Sequence, residues 1–164
     1  MAASTTKKVL VRRMDKQVIA GYVNPQSYLL EAGVEVLTRD GQLLVTPYQE
    51  LKTVCFVRDF EPAEVDEKRA FQSRPKLEGL WVRMKFRDED TMEGILPNEL
   101  LQLMDHGLII TPPDPYSNNQ KYFVPRLALT ELTVLGVIGS PLHKPRRAEV
   151  RKPPKEQIGL FGEQ

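Results

Sequence analysis

The sequence predicts an all-β protein made of two tandem five-stranded small barrels. Three observations carry this expectation. First, Leu80, Val82, Met84 and Phe86 alternate with Trp81, Arg83 and Lys85; the polar turn Arg87–Asp90 follows, and Met92, Gly94 and Leu96 then alternate with Thr91, Glu93 and Ile95. A period of two sends one set to a buried face and the other to solvent, which puts Glu93 on a solvated strand face. Second, the same design occurs at Val9–Val23. Third, the apolar runs are short and separated by Gly, Pro, Asp and Asn, the punctuation of strands and tight turns.

The first repeat spans residues 7–60. Val9 and Val11 mark its first strand, Asp15-Lys16-Gln17 its turn, and Ile19, Gly21 and Val23 the inward row of a second strand that Pro25 ends. Gly33–Leu37 is a third strand. Arg39-Asp40-Gly41 is a tight connection, because Asp-Gly tolerates the positive φ of hairpin turns. Leu43-Leu44-Val45 is a fourth strand, Pro47–Glu50 suits a single helical or 3-10 turn, and Val54–Val57 is a fifth strand. The linker, residues 61–78, reads either as a short helix near Ala63–Phe71 or as a solvated charged segment. Pro62 and the early acids followed by Lys68 and Arg69 suit a helix dipole.

The second repeat spans residues 79–139. Asp15 and Gly21 align with Asp88 and Gly94, and Val9, Val11, Ile19 and Val23 with Val82, Met84, Met92 and Leu96. Gly33 aligns with Gly107, and Pro47, Leu51, Val54 and Phe56 with Pro125, Leu129, Leu132 and Val134. The offset grows only at loops, chiefly at 112–120. Five short strands with a helical turn before the last suggest a strongly bent barrel.

The run Val82–Leu96 resembles the first motif of Sm-like barrels, a fold close to SH3-like ones. The shared pattern is an alternating strand, a turn opened by an acid, and a glycine six positions on where the second strand bends; it recurs at Asp15 and Gly21. The Asp and Asn with which that family contacts RNA are missing. Leu100 and Met104, or Ser27 and Glu31, stand at the matching positions, and the Arg-Gly pair of its second motif is absent too. The resemblance therefore implies a fold and not a uridine pocket. The chain is also similar to an uncharacterised acidobacterial family along Val9–Tyr28, Leu80–Leu103 and Thr111–Arg126, which implies no chemistry.

Composition narrows the function. The 164 residues are 41% hydrophobic with a net charge of +1. Residues 140–164 hold six basic and three acidic side chains, leaving the first 139 residues at net −2. A slightly acidic body argues against a broad phosphate-tracking surface. The one cysteine, Cys55, excludes an internal disulfide and reads as a buried strand residue. No run is long and apolar enough to span a bilayer, and no apolar segment follows Lys7 and Lys8 as in a secretion signal; a cytoplasmic protein without membrane contact is expected.

One cysteine and two histidines, His106 in an exposed turn and His143 in the tail, lack ligand or catalytic spacing, and no glycine loop suits a phosphate. A non-enzymatic protein without metal or cofactor is expected. Two surfaces are candidate sites. Arg12, Arg83 and Lys85 project from first strands near Trp81 and Tyr22, a basic and aromatic face that suits nucleic acid or another ligand. The loop carrying Tyr116, Ser117, Asn118 and Asn119 offers hydrogen-bonding groups on a proline-restricted frame.

Residues 140–164 are proline-rich and charged, a composition that cannot bury a core and is expected to be disordered. The segment finishes Gln157-Ile158-Gly159-Leu160-Phe161. This pentapeptide resembles the bacterial sliding-clamp-binding motif. The resemblance implies that Leu160 and Phe161 enter an apolar pocket, Ile158 packs between, and Gln157 uses a polar subsite. The basic tail would add weak nonspecific attraction to nucleic acid. The sequence thus supports three readings: an adaptor on the DNA sliding clamp, a nucleic-acid-binding module, and a protein–protein module that forms homo-oligomers through exposed sheet edges.

Overall fold

The computed structural model describes residues 5–60, 68–99, 101, 103–114 and 118–139. Among the described residues ten strands follow in order: β1 (Lys7–Arg13), β2 (Val18–Val23), β3 (Val34–Thr38), β4 (Leu43–Thr46), β5 (Leu51–Val57), β6 (Gly79–Phe86), β7 (Thr91–Leu96), β8 (Gly107–Ile110), β9 (Asn119–Pro125) and β10 (Leu129–Ile138). A 3-10 turn at Arg126–Ala128 precedes β10. The fold is all-β, with no α-helix among the described residues, so 68–78 hold no part of the expected linker helix. The rest of that linker lies outside the described residues, as do 140–164 and the pentapeptide within them.

The two repeats carry one pairing scheme. Val9 pairs with Gly21 on one side and Phe56 on the other; Val82 pairs with Gly94 and Val134. Both inner ladders slip by one residue at the matching place, beside Lys52 and beside Thr130. Val34 faces Thr46 and Leu108 faces Val124. The first turns also match. Asp15 Oδ1 accepts the Gln17 N–H at 3.0 Å and Asp88 Oδ1 accepts the Asp90 N–H at 3.2 Å. Lys16 and Glu89 between them take the left-handed backbone at φ 70° and 68°. The short acid at the turn's start stabilises that bend by accepting from the backbone two residues on.

Neither repeat closes into a barrel of its own, which corrects the expected pair of closed barrels. One sheet has the order β4-β3-β2-β1-β5-β9-β8 and the other β10-β6-β7. β9 is the second repeat's fourth strand, yet it pairs with β5 of the first, with Val54 facing Phe123 and Cys55 facing Tyr122. The physical reason lies in β5, whose apolar run Val54–Val57 can cover two cores at once. Val54 joins Val9, Val11, Val36, Leu51 and Phe123 in one core, while Cys55 and Val57 join Val82, Met84, Phe86, Ile110 and Val124 in the other. β5 and β9 thus form a wall with a core on each side. Cys55 is fully buried in it, with Sγ 3.6 Å from Thr53 Oγ1. β7 packs against β8, with Gly94 beside Ile110, and among the described residues the backbone bridge next to that contact joins Ile95 to Thr111, the residue after β8.

Candidate binding clefts

Cleft one lies where the first turns of the two repeats meet, and it follows from the bulge in β5. The unpaired residue Lys52 is turned out of the ladder there. Its Nζ reaches Asp88 Oδ2 at 2.6 Å and Asp90 Oδ2 at 2.9 Å on the turn of the other repeat, and lies 5.2 Å from the Phe86 ring centre. Arg69 also pairs with Asp90, and Arg13 Nη2 donates to Glu50 Oε2 at 2.7 Å. Burial alone would raise both aspartates' pKa. The hydrogen bond from Lys52, with Arg69 adding at Asp90, outweighs it and holds both below the usual carboxylate range. With Arg12 and Lys16 these groups line about 420 Å³. Acids interleave with the bases, so this cleft joins the repeats electrostatically and offers no uniform anion field.

Cleft two, of about 530 Å³, opens where the start of β1, the end of β5 and the start of β9 lie side by side. Tyr28 and Phe56 line it, packed edge to face at 5.7 Å, with Met104 and Ile109 beside them. Lys7, Lys8 and Lys121 stand around it. Lys8 pairs with Asp59 at 3.2 Å; Lys7 and Lys121 have no ion pair among the described residues. Burial, then the charge of Tyr48, pushes the Tyr28 phenol up to about 12, so it stays neutral and protonated across the physiological range. Tyr28 is only 4% exposed and backs the half-buried Phe56 ring, so that ring with an ammonium rim is what the cleft offers a planar, anionic ligand. Sequence reading missed this site because Lys7, Tyr28 and Lys121 sit on separate segments brought together by the β5–β9 pairing. Among the described residues no group of metal-ligating side chains occurs.

The basic and aromatic face named from sequence is divided between environments. Arg12 lines cleft one. Tyr22 packs edge-on against Phe60 at 5.3 Å. Trp81, Arg83 and Lys85 share a face of β6, where Trp81 meets Phe71 at 6.1 Å, Arg83 pairs with Glu93 at 3.2 Å and Lys85 with Glu89 at 2.8 Å. Of the proline-rich loop, Tyr116 and Ser117 lie outside the described residues. Asn118 and Asn119 serve the fold. Asn118 Oδ1 accepts the Asp59 N–H and its Nδ2 donates to the Asp59 carbonyl, both at 2.9 Å, while Asn119 is buried opposite Val57.

Glu93 is buried, which corrects its expected place on a solvated face. It is only 6% exposed. The segment around Arg69–Phe71 crosses the outer edge of β7, where the Glu93 N–H donates to the Arg69 carbonyl at 2.7 Å and Glu93 Oε2 accepts the Phe71 N–H at 2.8 Å. Local alternation was right about its side of the strand and blind to the segment covering that side. His106 likewise is half-buried rather than exposed, with its ring stacked on Tyr48 at 4.6 Å.

Among the described residues no helix is long and apolar enough to cross a membrane. Residues 5–136 match the model of a family of unknown function (DUF6982). No curated protein and no solved structure matches the chain.

Proposed function

We propose, for a chain that belongs to the DUF6982 family, a non-enzymatic adaptor that works at DNA. Its body holds a nucleic-acid strand, and its C-terminal pentapeptide docks on the sliding clamp. The observation carrying the body's part is cleft two, where Lys7, Lys8 and Lys121 stand around the half-buried Phe56 ring, with Tyr28 buried behind it. A base rests against the Phe56 ring while the ammonium groups meet phosphates on either side. The net charge of −2 over residues 1–139 keeps this contact local, so weak binding to a few nucleotides is the expected mode. The clamp part rests on Gln157, Ile158, Leu160 and Phe161, which lie beyond the family match.

Fluorescence anisotropy of a labelled oligothymidine against the full chain tests the body. Affinity should fall with added salt, and Lys7→Glu with Lys121→Glu should lower it about tenfold or more. Binding that ignores both changes rejects cleft two as the site. The tail is tested by a peptide covering residues 150–164 on purified clamp. Leu160→Ala with Phe161→Ala should abolish its binding, and an unaltered peptide that does not bind removes the clamp from the proposal.

A further inference from the structure

Among the described residues the duplicated pairing scheme leaves the outer edges of β10 and β4 without a strand partner, and they are counterparts of the two edges joined inside the molecule. Internally, the fifth strand of repeat one, β5, takes the fourth strand of repeat two, β9. Among the described residues the fifth strand of repeat two, β10, pairs only with β6, and the fourth strand of repeat one, β4, pairs only with β3. The shared registers of the repeats carry Val54, Cys55 and Phe56 of β5 onto Leu132, Thr133 and Val134 of β10. They carry Phe123, Tyr122 and Lys121 of β9 onto Val45, Leu44 and Leu43 of β4.

Burial follows the use of each edge. Val54 and Phe123 are fully buried at the inner junction. At the unused edges Leu43 is 62%, Val45 45% and Val134 54% exposed, with Leu44 and Leu132 also exposed. Three successive aliphatic residues on an outermost strand, with no charge or proline among them, lack the usual protection against edge pairing.

We propose that β10 of one chain pairs antiparallel with β4 of a second copy, reproducing between molecules the β5–β9 junction within each. The register places Leu132 opposite Val45, Thr133 opposite Leu44, and Val134 opposite Leu43 of the neighbouring chain. Such a contact is head to tail, and every chain offers both edges. Repeated around a closed circle it gives a ring in which intramolecular and intermolecular junctions alternate. The rotation from one repeat to the next sets the number of chains. This assembly is independent of the nucleic-acid and clamp readings, because its test reads mass alone.

Native mass spectrometry and light scattering of the full chain should give one discrete multiple of 18.7 kDa. Leu43→Glu and Val134→Lys each place a charge against an aliphatic partner at the junction, and each alone should yield the single-chain mass with an unchanged far-UV spectrum. An equal mixture should reassemble, because the Leu43→Glu edge then meets the Val134→Lys edge while the remaining edges stay unaltered. A wild-type chain that runs as a monomer, an assembly indifferent to either substitution, or a mixture that stays dissociated overturns the proposal.

Discussion

Lys52 Nζ donates to Asp88 Oδ2 at 2.6 Å, although the two residues belong to different repeats. The same ammonium reaches Asp90, and all three side chains are less than one-third exposed. This is the electrostatic counterpart of the shared β5–β9 wall. Replacing Lys52 with Met removes the charge and keeps much of the stem, leaving two half-buried carboxylates side by side. The expected cost is about 1–3 kcal/mol, between the values of exposed and fully buried pairs. Urea denaturation of the variant against the wild type measures it.

The same pairs give a pH dependence with a definite sign. Asp88 and Asp90 titrate below their ordinary value of 3.8 in the folded chain. Their contribution is complete above the unfolded value and drains away as pH falls through the lower folded values. The melting temperature should therefore drop as pH falls below that ordinary carboxylate value, and Lys52→Met should flatten this drop. A thermal melt series in acid checks it, and an unchanged slope in the variant would contradict the assignment.

Gly21 and Gly94 are counterparts, and alanine should be costly at both. A Cβ at Gly21 would lie 2.5 Å from the Leu37 carbonyl oxygen, which the β2–β3 pairing holds in place. At Gly94 it would press still closer on the Ile110 Cγ2, a methyl on the branched Cβ of a fully buried side chain, and lie 3.0 Å from the Thr111 carbonyl oxygen. Gly21→Ala and Gly94→Ala are each expected to cost about 2–4 kcal/mol as overpacking against neighbours that cannot step aside. Denaturation midpoints of the two variants provide the comparison.

Glu93 ties the Arg69–Phe71 segment to β7. Glu93→Ala leaves the Phe71 N–H and the Arg83 guanidinium without their partner, an expected loss of about 2–3 kcal/mol. The local effect is the more diagnostic one. Hydrogen exchange at Phe71 should accelerate strongly while amides of β1 and β5 keep their protection.

The strands and turns were legible in the sequence because they rest on local rules. Alternation located β6 and β7, Asp15 and Asp88 marked the turns, and the glycines fixed the alignment of the repeats. Partners distant in the chain were not legible. Nothing in β9 announces that, while one edge stays with β8, the other joins β5 of the first repeat, and with that pairing went the two separate barrels and the view of cleft two. One hint was present: Val54-Cys55-Phe56-Val57 is unbroken by polar residues, the pattern of a strand buried on both faces. Glu93 misled because an alternating pattern reports direction along a strand and says nothing about what lies above it.

A strand that faces two cores also decides how the molecule comes apart. Because Val54 and Cys55 point into opposite interiors, loss of either repeat strips apolar support from the other. Heating should therefore give a single calorimetric peak rather than two. Severed polypeptides ending at residue 60 and starting at residue 68 should each be unable to hold a fold in isolation, and should recover it when mixed.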